Sequence, residues 1–181
     1  MPTGQINPAQ IQIRLITPQD SIPAITRLLH RAYAKQVAMG LRPLAGRQDD
    51  AMTAQRAACS ECILAVAPAS EGAQILGVIL FEEQEAASFP TFFLRPEVCH
   101  FAQFGVDPDA QGKGVGRMLL QAVEERAIAR GATELACSMA EPDRDLYDFY
   151  IKRGYRHVEY WQWPYTNYRS CILSKTLPAR Q

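Results

Sequence analysis

The chain has 181 residues, 48% of them hydrophobic, and its 19 basic side chains balance 19 acidic ones. That length suits one domain burying its own core without covalent staples, and zero net charge argues against a nucleic-acid partner held by phosphate neutralisation. The longest apolar run, Ile75–Phe81, has seven residues, where a membrane helix needs about 20. The opening MPTGQINPAQ has neither the basic nor the apolar region of a secretion signal. Five widely spread cysteines, an odd number, do not read as a disulfide framework. A soluble, cytoplasmic protein is expected.

Residues 1–10, polar with two prolines, read as a flexible arm before a single domain at 11–177, and 178–181 as a short tail. Ile11, Ile13 and Leu15 alternate as in a half-buried strand. ThrProGlnAspSer (17–21) supplies turn and cap residues, and Ile25, Leu28, Leu29 and Ala32 follow at helical spacing, which predicts a helix over 21–37. Gly40, Pro43 and Gly46 mark a loop. A second helix, 49–58, starts at Asp49–Asp50, where carboxylates suit the helix dipole. The runs 62–67 and 74–83 read as paired strands, and 97–106 as another. A helix over 114–130 stops at Gly131, a natural residue just past a helix end. Alternating Leu135, Cys137 and Met139 make a strand, 143–153 a short helix, and 155–163 with 168–177 a last pair of strands. The fold class is α/β (α+β): about seven strands with about four helices.

The informative segment is Gln111-Gly112-Lys113-Gly114-Val115-Gly116-Arg117, between a strand and a helix. Glycines at alternate positions let backbone N–H groups approach an anion, and a helix N-terminus favours phosphate there. Lys113 and Arg117 supplement it. A glycine-rich turn that merely starts the helix explains the same spacing. A Walker loop requires Ser or Thr after its lysine, and Gly114 stands there; a Rossmann loop requires GxGxxG directly after the strand, and the spacing is GxGxG after AspProAspAlaGln.

The run from Phe104 through Val106, Pro108 and Gln111 to Gly116 resembles the acetyl-CoA motif of the GNAT acetyltransferase superfamily. Phe149-Tyr150-Ile151-Lys152-Arg153-Gly154-Tyr155 resembles that family's second motif, one helix and one strand downstream. The resemblance implies a GNAT-like, mostly antiparallel seven-stranded sheet with splayed central strands. It also implies acetyl-CoA bound between the strands near 97–106 and 133–140, and direct acetyl transfer to a primary amine, small-molecule or peptide. Phe104 and Val106 are then main-chain contacts to the pantetheine arm, and Gln111, Gly112, Lys113, Gly114, Val115, Gly116 and Arg117 hold the pyrophosphate. Tyr150 matches the tyrosine that protonates the leaving thiolate, although Leu146, Phe149 and Tyr150 also share a helix face, as packing residues do. The family's asparagine upstream of the tyrosine is Asp143 here, a hydrogen-bond acceptor toward the cofactor or a helix cap. A homodimer is plausible on the same resemblance, and a non-catalytic acyl-CoA sensor on the same fold is the alternative reading.

For the base, His100 shares an alternating strand face with Ala102, Phe104 and Val106, and an imidazole titrates in the physiological range. The alternative is a hydrogen-bonded strand histidine, with water taking the proton. On a regular strand Glu97 and Gln103 face the other way; a bulge reverses that. Cys59-Ser60-Glu61-Cys62 lacks the partners of a zinc site, so no metal is expected and both cysteines read as small buried residues. None of the five cysteines stands in a nucleophile motif. Trp161, Trp163, Tyr165 and Tyr168 either wall an acceptor pocket, form a dimer surface or pair across strands. The loop 35–50 is the other acceptor wall by family analogy, with Asp49 and Asp50 attracting an amine or starting a helix.

Overall fold

The computed structural model describes residues 6–84 and 88–179. Seven strands form one sheet in the order β1 (Gln12–Leu15), β2 (Glu61–Pro68), β3 (Ala73–Phe81), β4 (Val98–Val106), β5 (Glu134–Ala140), β7 (Ser170–Thr176), β6 (Arg156–Trp161). Neighbours are antiparallel except β4 and β5, which run parallel. Five helices cover the two faces: α1 (Ile22–Ala32), α2 (Ala34–Ala38), α3 (Asp50–Ala58), α4 (Val115–Ala129) and α5 (Arg144–Ile151). No helix among the described residues is long and apolar enough to cross a membrane.

The central strands are apolar on both faces because helices cover both. Cys62, Leu64, Val66, Val78 and Leu80 pack against Ile25, Leu28 and Leu29 of α1. Their alternates Ile63, Ala65, Ile79 and Phe81 pack against Leu119, Val123 and Ala127 of α4. The alternation thus sorts β2 and β3 between two cores, and this sandwich holds β4 rigidly beside the site.

Two expectations change. The single helix over 21–37 divides at Tyr33 (φ −96°, ψ 3°), where the tyrosine hydroxyl donates to the Phe104 carbonyl at 3.2 Å. The helix count rises to five, and α2 is turned toward the cleft described below. In the N-terminal segment, Pro8–Gln10 forms a 3-10 turn capped by Asn7, and Ile6 and Ile11 pack on the larger core. Residues 1–5 lie outside the described residues, as do 180–181 of the tail.

Candidate active site

β4 belongs to β5 only at its start. The parallel pairing runs from Val98↔Glu134 to Phe101↔Cys137 and ends, while β5 stays with β7 through Ala140↔Ser170. β4 meanwhile stays with β3 through Gly77↔Val106. The cause is a bulge: Gln103 has φ +49°, and the β3–β4 register slips between Val78 and Leu80. One extra residue bends the strand and sharpens its twist, so the sheet parts. A cleft of about 780 Å³ opens there, lined by residues 102–106 of β4, Cys137–Ala140 of β5, the glycine loop, α5 and the β6–β7 connection.

At one end the cleft meets the glycine loop. A 3-10 turn, Pro108–Ala110, capped by the Asp107 side chain, leads into it. Gly114 is the N-cap of α4 in the left-handed region (φ +82°), a conformation glycine adopts without the Cβ penalty. The helix ladder starts with Met118 N–H on the Gly114 carbonyl, so the N–H groups of residues 115–117 are the unpaired donors of a helix start, with the positive end of the dipole behind them. A Cβ on Gly116 would come within 3.3 Å of Phe104 Cζ, so this glycine lets the helix end sit against β4.

Gln111, Gly112, Gly114, Val115, Gly116 and Arg117 line the cleft. The Val115 side chain itself is buried in the core, so it can offer a ligand only backbone. Lys113 does not line the cleft; its Nζ donates to the Asp109 carbonyl at 3.3 Å. Arg153, which the sequence did not single out, joins Arg117 at this mouth, its guanidinium 3.4 Å over the Phe149 ring. The Phe104 carbonyl is taken by the Tyr33 hydroxyl.

Tyr150 lies on α5 midway along the cleft, 4% exposed. Phe101, Phe149 and Tyr155 pack around its ring at centroid distances of 6.2, 5.3 and 5.2 Å. Burial, reinforced by the Cys137 thiol beside it, pushes its phenol well above the usual tyrosine range, so it keeps its proton at neutral pH. Cys137, also on the wall, is likewise driven up by burial, and burial lifts Cys62 and Cys99 to about 12. Cys59 is exposed at the end of α3, contrary to the expectation of two buried cysteines. No group of three His, Cys, Asp or Glu side chains among the described residues is placed to hold a metal.

Asp143 is the N-cap of α5: its Oδ1 accepts from Leu146 N–H at 3.2 Å and its Oδ2 from Gln36 Nε2 at 3.0 Å. It lines the cleft while tying α2 to α5. Asp49 is likewise a cap, accepting from Met52 N–H at 2.8 Å, and neither it nor Asp50 lines the cleft.

His100 stands at the other end, 6% exposed, stacked on Phe93 (4.7 Å, 13°) and edge-on to Phe89 (5.1 Å). Its Nε2 lies 3.1 Å from the Glu83 carbonyl. A carbonyl only accepts, so Nε2 carries the hydrogen. Nδ1 is sealed from solvent without a hydrogen-bond partner, 3.4 Å from a Glu82 carboxylate oxygen. The ring lines the cleft with Nε2 held by a carbonyl and Nδ1 sealed from solvent.

The bulge brings Gln103 into this wall, against strict alternation, and with it a buried polar cluster that no sequence pattern announces. Arg56 donates from Nε and Nη2 to the two Glu83 oxygens at 2.5 and 2.9 Å, and from Nη1 to Gln48 Oε1 at 2.9 Å. Gln48 Nε2 in turn donates to Thr53 Oγ1 and Gln103 Oε1 at 2.8 and 3.0 Å. Three segments far apart in sequence, 48–56, Glu83 and Gln103, supply these groups, so no spacing could announce them. The aromatic hairpin residues divide: Trp163, Tyr165 and Tyr168 line the cleft, whereas Trp161 packs beside Phe92, Phe93 and Ile172.

Solved structures with this architecture include the ribosomal-protein-S18-alanine N-acetyltransferase of Escherichia coli (14% identity, 92% of this chain and 94% of that one, TM-score 0.63). A GNAT family acetyltransferase from Elizabethkingia anophelis, solved with acetyl-CoA bound, aligns over 93% and 99% of the two chains at 18% identity and a TM-score of 0.62. A putative acetyltransferase from Salmonella typhimurium, solved with its cofactor acetyl-CoA, aligns over 93% and 95% at 17% identity and a TM-score of 0.64. At these identities the likeness speaks for the fold. The sequence itself matches the acetyltransferase (GNAT) family over residues 23–155, a stretch that contains the glycine loop, the parting strands and Tyr150, and the chain belongs to that family.

Proposed function

We propose that the protein transfers an acetyl group from acetyl-CoA to a primary amine, by direct attack of the amine on the thioester. The observation that carries this reading is the single cleft that joins three parts: the glycine-loop helix start, the edge of β4 freed from β5 beyond Phe101 and the protonated Tyr150 between them and the His100 end. The fit to an acyl-CoA is specific. The N–H groups of residues 115–117 and the Arg117 and Arg153 guanidinium groups suit the pyrophosphate and phosphate, and the free edge of β4 suits the extended pantetheine. The Phe104 N–H is a preorganised donor for the thioester oxygen as it gains charge. The neutral amine forms the new C–N bond, the C–S bond breaks, and the sulfur takes the Tyr150 proton. The amine's surplus proton leaves through water, which also restores the phenol.

Water rather than His100 takes that proton in this proposal, because Nε2 is held by the Glu83 carbonyl and Nδ1 is sealed from solvent. His100→Gln is expected to leave the shape of the kcat/KM pH profile unchanged while raising KM for the amine; loss of the profile's acid limb would restore His100 as the base.

The cofactor half is tested by calorimetric titration with acetyl-CoA and by thermal shift. Saturation at 100 times Kd stabilises by about 2.7 kcal/mol, a rise of roughly 5–10 °C for a domain of this size. Gly114→Asp places a Cβ at φ +82° and an anion at the helix start, and is expected to abolish the shift. A shift with NADH or ATP and none with CoA species would refute the reading.

A further inference from the structure

We propose that the acceptor is a small arylalkylamine: a primary amine on a short chain carrying an aromatic ring and no carboxylate or phosphate. This deepens the transfer reading above and rests on it. The end of the cleft beyond Tyr150 is walled by Phe89, Phe93, His100, Trp163, Tyr165 and Tyr168. The rings hold one another in place: Phe93 stacks on His100, Phe89 stands edge-on to Trp163 (6.5 Å, 87°), and Trp163 stacks on Tyr165 (5.7 Å, 18°). Trp163 Nε1 donates to Ser138 Oγ at 2.9 Å, which fixes the indole against β5. A rigid aromatic wall attracts a ring by offset or edge-to-face contact at little ordering cost.

Charge narrows the class further. Among the described residues, the charged groups of this end and its roof are Arg56 and Glu83, which form a bidentate pair, Lys35 and Asp145, which bond each other, and Asp143, which accepts from Gln36 and Leu146. The lining cations Arg56 and Lys35 are both paired, so a substrate carboxylate or phosphate meets no spare counter-charge from them, and losing its water here is unfavourable. This disfavours α-amino acids and phosphorylated amines.

The segment 35–47 favours a small acceptor over a folded protein chain. It crosses the cleft and is tied on its far side. Lys35 and Gln36 bond Asp145 and Asp143 of α5. Arg42 N–H donates to Asn167 Oδ1 at 2.8 Å, Asn167 Nδ2 to the Gly40 carbonyl at 2.9 Å, and Arg47 to the Tyr165 carbonyl at 2.5 Å. The acceptor end is thus roofed, with room for a small molecule.

The test is thiol release from acetyl-CoA with four amines: 2-phenylethylamine, spermidine, glutamate and a peptide with N-terminal alanine, with acetyl-CoA binding measured separately. Phenylethylamine is expected to exceed each of the others by about 100-fold in kcat/KM, as a pocket without matching polar partners discriminates. Trp163→Ala is expected to raise KM for phenylethylamine by about 10-fold or more with acetyl-CoA affinity kept. Trp163→Phe, which keeps a ring and loses the Ser138 bond, is expected to fall between. If spermidine, glutamate or the peptide is the better substrate, or if Trp163→Ala binds acetyl-CoA normally with phenylethylamine kinetics unchanged, this inference falls and the transfer reading stands. If acetyl-CoA does not bind, the transfer reading falls and takes this one with it; if it binds with no transfer to phenylethylamine, this inference alone falls.

Discussion

Tyr150→Phe is expected to lower kcat by about 100-fold or more, within the range for loss of a positioned acid, with acetyl-CoA affinity unchanged. The substitution keeps the ring and therefore its packing against Phe101, Phe149 and Tyr155; it removes only the hydroxyl beside Cys137. Burial raises the phenol's pKa, so the neutral, proton-carrying form dominates through neutral and mildly alkaline pH. Its own ionisation should therefore give no alkaline fall in kcat below the ordinary tyrosine range. Single-turnover kinetics with acetyl-CoA pre-bound isolate the chemical step. A variant that binds acetyl-CoA normally and turns over at the wild-type rate would show that the phenol is a packing group, as its neighbours on the same helix face suggest.

What could be read from the sequence follows what is local. The glycine loop and the helix it opens are legible because a positive φ at Gly114 and a close approach at Gly116 are demands that residue type alone can announce. The strands β2 and β3 are legible because their apolar runs have no other use in a chain of this size. Tyr33 marks the limit. Helical spacing from Ile25 to Ala32 continues past it in sequence, and only the distant Phe104 carbonyl explains why the path turns there. Gln103 marks another: strand periodicity places it opposite His100, and one residue of bulge, invisible without the β3 partner, brings it into the wall. Asp143 and Asp49 show the reverse case. Both were legible as helix caps, and both are caps, because capping depends on residues three positions away and not on the rest of the fold.

Arg56→Met is expected to cost about 3–5 kcal/mol, the penalty for stripping one partner from a buried ion pair, and to lower Tm by roughly 6–20 °C. The side chains of Arg56 and Glu83 are only 10% and 4% exposed, so the carboxylate left behind could be only poorly hydrated. Gln48 would lose its Arg56 bond too, leaving a second buried group short of a partner. The double variant Arg56→Met/Glu83→Leu removes both charges and should recover most of the lost stability, since apolar replacement of a buried pair is often neutral. Chemical denaturation of the four proteins of this cycle measures the coupling; additive losses would show that the two side chains do not act as a pair. Activity should not follow stability in the double variant. Gln48 bridges the pair to Gln103 at the bulge, and the Glu83 carbonyl holds His100. The recovered fold would therefore carry a loosened acceptor wall, with KM for the amine raised and acetyl-CoA affinity kept. Such a separation would place the pair in the service of the cleft's shape as well as its stability.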